Sequence, residues 1–373
     1  MTEAEFDVLL ITKPIAPPWT DGTLNLVRSL IQDPSLECRF RVPVPTGSPS
    51  LQIPHVFEEA IYPEAGSHGT TLKNNAAMLK RLLKPSQAQI MHFLFAPSTR
   101  TARILKPLLS FRGIPTIHTL CSRPKSFENV SETLFAKHHI VLSKFTEAKL
   151  REAGVPSVAR VNPAVFEPKP NSESGLNIAQ EIGVPENTPF LMYAGDLEFS
   201  RGAETVIRAL PEALQSIPHH IILACREKTS QASKVRKELQ QLAEKLGVGE
   251  RTHFAGTVPD FHSLLSRADL LLFPTANTYA KLDLPLVLLE ALAMGIPIMV
   301  AEEGPVGELL EDDIGFGVAG ENAGELAAAL QDVLTKGSPR KEKSEACRNV
   351  FERKFQAKLH AQAVGKLYRK WIS

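Results

Sequence analysis

The strongest constraint on the fold is an alternation running almost from end to end, in which short apolar runs of strand length give way to stretches with helical periodicity. In the first half the runs are DVLLITKP, CRFRVPVP, HVFEEAIY, QIMHFLFAP, IPTIHTL, HHIVLS and ARVNPAV, and the helical patterns include TLNLVRSLIQD, TLKNNAAMLKRLLK and KFTEAKLREAG. Residues 166–187, FEPKPNSESGLNIAQEIGVPEN, are rich in Pro, Ser, Asn and Glu and read as a linker. The same grammar then restarts. FLMYAGD, HHIILAC, RTHFAGTV, LLLFPTA, IPIMVAE and GFGVAG read as strands, and AETVIRALPEALQ, SKVRKELQQLAEKLG, FHSLLSRAD, PLVLLEALAM and AGELAAALQDVLTK as helices. Such alternation builds parallel sheets covered by helices. The expected class is therefore α/β, with two Rossmann-like domains, 1–165 and 166–354, facing across a cleft. The stretch from Ser344 to Ser373 reads as helical and amphipathic, with a C-terminal helix at about 355–373 that packs back on the first domain.

A chain of 373 residues exceeds the size at which one hydrophobic core stops growing, which agrees with two domains. A net charge of +1 removes any argument from charge for nucleic acid as a partner. Cys38, Cys121, Cys225 and Cys347 are widely spaced, without the pairing a metal site or disulfide framework needs, and read as reduced thiols of a cytoplasmic protein. The N-terminal MTEAEFDVLLITKP reads as a first strand rather than a signal peptide. No apolar stretch reaches the roughly 18 residues of a membrane span.

One residue stands out against this grammar. In YAKLDLPLVLLEALAMGIPIMV the carboxylate Glu290 lies among Leu and Ala, on a helix opened by Pro285 and closed by Gly295 and Pro297. An ionised carboxylate without partners is costly to bury, so Glu290 either reaches a surface or meets something polar. A backbone cap or a neighbouring lysine is the structural alternative to a ligand.

With these segments in hand, the second half resembles the retaining nucleotide-sugar glycosyltransferases of the GT-B fold, family 4. The resemblance is strongest over about 188–335, in YAGDLEFSRGAETVIRAL, HFAGTVPDFHSLLSRADLLLFPT and PLVLLEALAMGIPIMVAEEGPVGELL, and PPWTDGTLNLVRSL resembles the family's first loop. It implies a GT-B enzyme that moves a sugar from a nucleotide-diphosphate-sugar donor to a hydroxyl acceptor on a glycan, lipid or small molecule. It also implies retention, no metal and no cofactor beyond the nucleotide sugar as cosubstrate.

The family's signature has two glutamates separated by seven residues, and Glu290 matches the second, which binds the donor ribose. Leu282 stands at the first, flanked by Lys281 and Asp283, so a shifted carboxylate is a candidate for the sugar contact. The loop Arg of the family is replaced by Asp196 after Gly195, while Arg201 stands at its Lys position. Arginine binds phosphate oxygens bidentately, and Asp196 is expected to point away, capping the following helix or pairing with Arg201.

Helix starts attract phosphate through free N–H groups and the dipole, which nominates Gly22, Arg201 with Gly202, and the segment before Leu286. For Gly22 the plain alternative is a turn glycine. His92 and His118 fall at predicted strand ends. Each is an ordinary core histidine in the plain reading, and His118 is the candidate for contact with acceptor or sugar. The register of the family's cleft histidine falls on Cys121 instead. Asp312–Asp313 reads as a turn and not as a metal motif. Lys80, Arg81 and Lys84 form a basic face, either solvated or in peripheral contact with a membrane. The rival readings are a GT-B nucleotide-sugar epimerase, which acts on a donor with no acceptor present, and a non-catalytic binding subunit, which binds a donor without turnover.

Overall fold

The computed structural model describes residues 6–17, 19, 21–64, 71–227, 229–279 and 281–372. MTEAE at the N-terminus, Pro18 and Thr20 of the first loop motif, Ala280 and Ser373 lie outside the described residues. The chain divides into two compact units: Met1–Phe166 with Tyr279–Asp283 and Phe355–Ser373, and Glu167–Thr278 with Leu284–Lys354.

The first unit runs β1 (Phe6–Ile11), α1 (Gly22–Ile31), β2 (Cys38–Pro45), β3 (Val56–Tyr62), α2 (Leu72–Leu83), β4 (Ile90–Phe95), α3 (Thr99–Ser110), β5 (Thr116–Leu120), β6 (His138–Val141), α4 (Lys144–Glu152) and β7 (Val158–Arg160). The strands form one parallel sheet in the order β3-β2-β1-β4-β5-β6-β7. Every residue of β1 is buried, as expected of a strand covered on both faces. Its one carboxylate, Asp7, is neutralised by Arg39 at 2.6 Å and Arg41 at 2.9 Å from β2. Pro43 and Pro45 are tolerated in β2 because its ladder to β1 ends at Arg41.

The second unit runs α5 (Ser172–Glu181), β8 (Phe190–Tyr193), α6 (Gly202–Ala213), β9 (His220–Leu223), α7 (Ser230–Lys245), β10 (Thr252–Phe254), α8 (Phe261–Leu265), β11 (Leu270–Phe273), α9 (Leu286–Ala293), β12 (Ile298–Ala301), β13 (Gly315–Val318), α10 (Ala323–Lys336) and α11 (Pro339–Lys354). Its parallel sheet has the order β10-β9-β8-β11-β12-β13. The chain then returns to the first unit as α12 (Ala357–Ile372), which packs on α1.

The linker expectation needs correction, and two helical details go beyond the sequence reading. The predicted linker contains α5, capped by Asn171 and pressed so tightly on α8 that a Cβ on Gly175 would lie 2.1 Å from the Ser263 carbonyl oxygen. Its polar composition marks an exposed helix face. The helical C-terminal segment is made of two pieces, α11 and α12. Between them Val165 N–H donates to the Phe355 carbonyl at 3.0 Å and Ala357 N–H to the Val165 carbonyl at 3.1 Å, so backbone pairing interrupts the helix without Gly or Pro. The helix α3 was not predicted, because Pro107 interrupts its pattern. Ser98 caps it, and Pro107 lies on its exposed side, where water can serve the freed carbonyl.

Candidate functional site

In an open parallel sheet, ligands gather beyond the carboxyl ends of the strands where the winding direction reverses. In the second unit that point lies between β8 and β11, whose following helices are α6 and α9. These two helices share a distinctive start. Each of α1 to α5, α7, α8 and α10 opens under a side chain accepting from its first N–H groups, whereas α6 and α9 open with no side-chain cap. Leu288 N–H of α9 donates to the Pro285 carbonyl at 3.0 Å, and the N–H groups ahead of it, like those opening α6, have no N-cap side chain to accept from them, an arrangement suited to phosphate.

The α6 start is tightly fitted. A Cβ on Gly202 would lie 2.4 Å from Thr275 Oγ1 and 2.6 Å from the Tyr193 hydroxyl, and one on Gly195 would lie 2.3 Å from that same hydroxyl. Both glycines are required by close packing around Tyr193 and the loop after β11. Asp196 turns inward on its own loop, accepting from the N–H groups of Glu198 at 2.9 Å, Ser200 at 3.2 Å, and Phe199. It caps the loop rather than α6. Arg201 stands at the α6 N-cap position, two-thirds exposed, with its guanidinium laid along the helix toward Glu204 at 3.3 Å. Glu204 also holds Arg208 at 2.7 Å. The groove on that outer face, between α6 and α7, sets Glu198, Glu204 and Glu238 against Arg201 and Arg208, both paired with Glu204, and so offers a diphosphate no net positive charge.

On α9 the residues Leu286, Leu288, Leu289, Ala291, Leu292 and Ala293 are buried, and Val287 and Glu290 form the narrow stripe left open. Leu286 can therefore contribute backbone only. Gly295 ends the helix at φ +69°, a left-handed conformation that favours glycine. Glu290 is 19% exposed, and its partner is neither a backbone cap nor a lysine but His262 on α8, with Nε2 3.3 Å from Oε1. The Glu290 hydrogen bond raises the His262 pKa above its ordinary value, against the lowering effect of burial. Sequence reasoning missed His262. The available signal was its place in FHSLL, a polar ring on the short helix preceding the helix of Glu290.

Other nominated residues fall elsewhere. Asp283 belongs to the first unit, 1% exposed, where its Oδ2 accepts from Ser143 Oγ at 2.7 Å while that hydroxyl also caps α4. Burial raises its pKa, and Ser143 and Thr146 oppose the rise. A linear division at 166 assigns this segment to the second domain; the hydrogen bond shows why Tyr279–Asp283 departs from it. The half-buried Lys281 travels with it. Gly22 does open α1, but Asp21 already caps that helix, accepting from Thr23 N–H at 2.9 Å and pairing with Lys13 at 2.7 Å. A phosphate there would have to displace a carboxylate.

His118 is fully buried among Phe95, Phe135 and His139, and its Nε2–H donates to the Phe95 carbonyl at 3.1 Å. Burial lowers its pKa to about 3, so the ring is a neutral core group with no access to an acceptor hydroxyl. His92 is likewise buried, held by the Tyr368 hydroxyl at 2.6 Å and Thr119 at 2.7 Å. Cys121 is buried, and desolvation pushes its thiol up to about 12. Arg81 pairs with Glu59 on β3, with one contact of 3.0 Å, and so leaves the proposed basic face. Asp312 pairs with Arg353 and Lys354, and Asp313 with Lys343.

Residues 176–350 match the family model described as glycosyl transferases group 1. An uncharacterized glycosyltransferase of Methanocaldococcus jannaschii is 27% identical over 178 residues, covering 47% of this chain and 43% of that protein. A GDP-mannose-dependent alpha-(1-6)-phosphatidylinositol monomannoside mannosyltransferase of Mycolicibacterium smegmatis is 26% identical over 205 residues, 52% of each chain. The matches thus span about half the length of these relatives. Among solved structures, Anabaena HepE in complex with UDP-glucose superposes with a TM-score of 0.76 at 17% identity, covering 98% of this chain and all of that one, a likeness of fold. Over residues 176–350 the chain is thus similar to the group 1 glycosyl transferases, and as a whole it has the GT-B fold of its solved structural neighbours.

Proposed function

We propose that the protein is a retaining glycosyltransferase that uses a nucleotide-diphosphate sugar and no metal, with the donor held by the second unit and the acceptor served by the first. The observation that carries this reading is the pair of uncapped helix starts, α6 and α9, at the switch point of the second sheet. A diphosphate completes those N–H groups, and Arg201 is near enough in sequence to turn from Glu204 onto it. Glu290, on the open stripe of α9, then accepts from the ribose hydroxyls.

In this reaction the bond from the anomeric carbon to the phosphate oxygen breaks and a bond to the acceptor oxygen forms on the same face. The acceptor proton passes to the departing phosphate. No side-chain base is required, which suits a chain whose strand histidines His92 and His118 are buried and neutral. The protein's share is positioning and charge compensation. The GDP-mannose-dependent mannosyltransferase among the relatives supports a nucleotide sugar as partner, and the acceptor is a hydroxyl on a glycan, a lipid or a small molecule.

The test is thermal stabilisation by UDP-, GDP-, ADP- and dTDP-sugars, repeated with Glu290→Ala. One donor is expected to stabilise the wild type and lose most of its effect in the variant. Turnover should survive chelation. Conversion of a donor with no acceptor present would favour an epimerase, and binding with no turnover across a broad acceptor panel a binding subunit.

A further inference from the structure

We infer that His262 is a positioning residue of the donor site, holding the Glu290 carboxylate so that its second oxygen faces the vicinal hydroxyls of the bound nucleotide sugar. The inference rests on the reading of Glu290 given above and deepens it.

The geometry is specific. The imidazole Nε2 lies 3.3 Å from Glu290 Oε1, with the histidine 41% and the glutamate 19% exposed, so the pair is at a surface and open on one side. The ring does not float on a loop. It is the second residue of α8, which is anchored twice: Asp260 accepts from Ser263 N–H at 3.3 Å and from Ser174 Oγ at 2.8 Å, and α5 presses on α8 through Gly175. Phe261 packs edge-on against the ring at 6.0 Å. Thus α8 and α9, the helices on either side of β11 in the chain, are linked among the described residues by this polar contact. Among the described residues no lysine or arginine pairs with Glu290. A single donor fixes one oxygen and leaves the lone pairs of the other for a ligand.

The charged groups facing His262 are Glu290 from α9 and Asp260 from its own helix start; from α5 the contribution is the neutral Ser174 hydroxyl on Asp260. Both carboxylates favour the imidazolium. As pH rises through the elevated pKa the ring loses its charge, and the tautomer carrying its proton on Nδ1 turns a lone pair toward the carboxylate. Donor affinity should therefore be higher on the acid side and fall as pH rises. His262→Gln retains an uncharged N–H donor that does not titrate.

Two measurements decide the matter. In the first, the His262 imidazole is titrated by NMR in the wild type and in Glu290→Gln; a pKa above 6.5 that falls in the variant is expected, and equal values overturn the pair. In the second, the nucleotide sugar that stabilises the wild type is titrated at pH 6 and pH 8. We expect roughly fivefold weaker binding for His262→Ala at pH 6, near wild-type binding for His262→Gln, and a pH dependence present only in the wild type. Wild-type affinity and pH dependence in both variants would overturn the positioning role while leaving the donor site intact. No response of the wild type to any donor would instead sink the reading of the site, and this role with it.

Discussion

Replacing Gly202 by alanine tests the fit at the start of α6. The added Cβ would stand 2.4 Å from Thr275 Oγ1 and 2.6 Å from the Tyr193 hydroxyl, more than about 1 Å inside ordinary contact distance. Thr275 and Tyr193 are both 0% exposed, so neither can swing into solvent to make room. Overpacking of this kind costs about 1–3 kcal/mol. The two contacts can be separated. Thr275 Oγ1 has no hydrogen-bond partner among the described residues, so Thr275→Ala removes an unsatisfied hydroxyl and costs mainly a methyl contact. On that background the shorter clash is gone, and Gly202→Ala should cost about 1 kcal/mol less, a coupling that a double-mutant cycle resolves. The probe matters, because Trp19 and Trp371 both lie in the first unit and their fluorescence is blind to the second. Hydrogen exchange of the β8 and β11 amides reports on the right sheet. Unchanged exchange in Gly202→Ala, or an equal loss with and without Thr275→Ala, would refute the argument.

Acid should weaken the fold through its buried histidines. Desolvation holds His92 and His118 at about 3 and His139 and His360 at about 4, below the ordinary 6.5, so the unfolded chain binds more protons once pH drops below that value. Stability is fully present above pH 6.5 and declines toward pH 4, by about 2 kcal/mol per fully neutral histidine at pH 5; a urea midpoint equal at pH 7 and pH 5 would contradict this. Asp7→Ala removes the counter-charge of the half-exposed Arg39 and the nearer of the two facing Arg41, with Glu59 remaining at 3.9 Å, and should cost about 1–2 kcal/mol, read from tryptophan fluorescence of the first unit. Phe111 is 90% and Leu83 62% exposed, beside Lys84, whose carbonyl accepts from Arg112 at 3.0 Å. If this corner meets a membrane, sedimentation with anionic vesicles should drop severalfold in Phe111→Asp and be absent with neutral vesicles.

The sequence by itself determined the strands. All thirteen apolar runs became strands of two parallel sheets, because an apolar run of that length bounded by turn residues has few other ways to bury itself. It also determined that Glu290 must reach a surface or meet something polar, and the structure shows it doing both. What met it was beyond the sequence. His262 is close only because the fold brings the start of α8 to the open stripe of α9, and nothing in a linear text ranks one distant histidine above another. The same physics misled elsewhere: His118 looked available at a strand end, yet Phe95 and Phe135 close over it. Asp283 looked like a sugar contact beside the lost glutamate position, yet Ser143 takes it into the other unit. Local pattern fixes which segments are helix or strand, because periodicity is a property of neighbours in the chain. Which polar groups remain open to a ligand is settled by neighbours in space, and only tertiary packing supplies those.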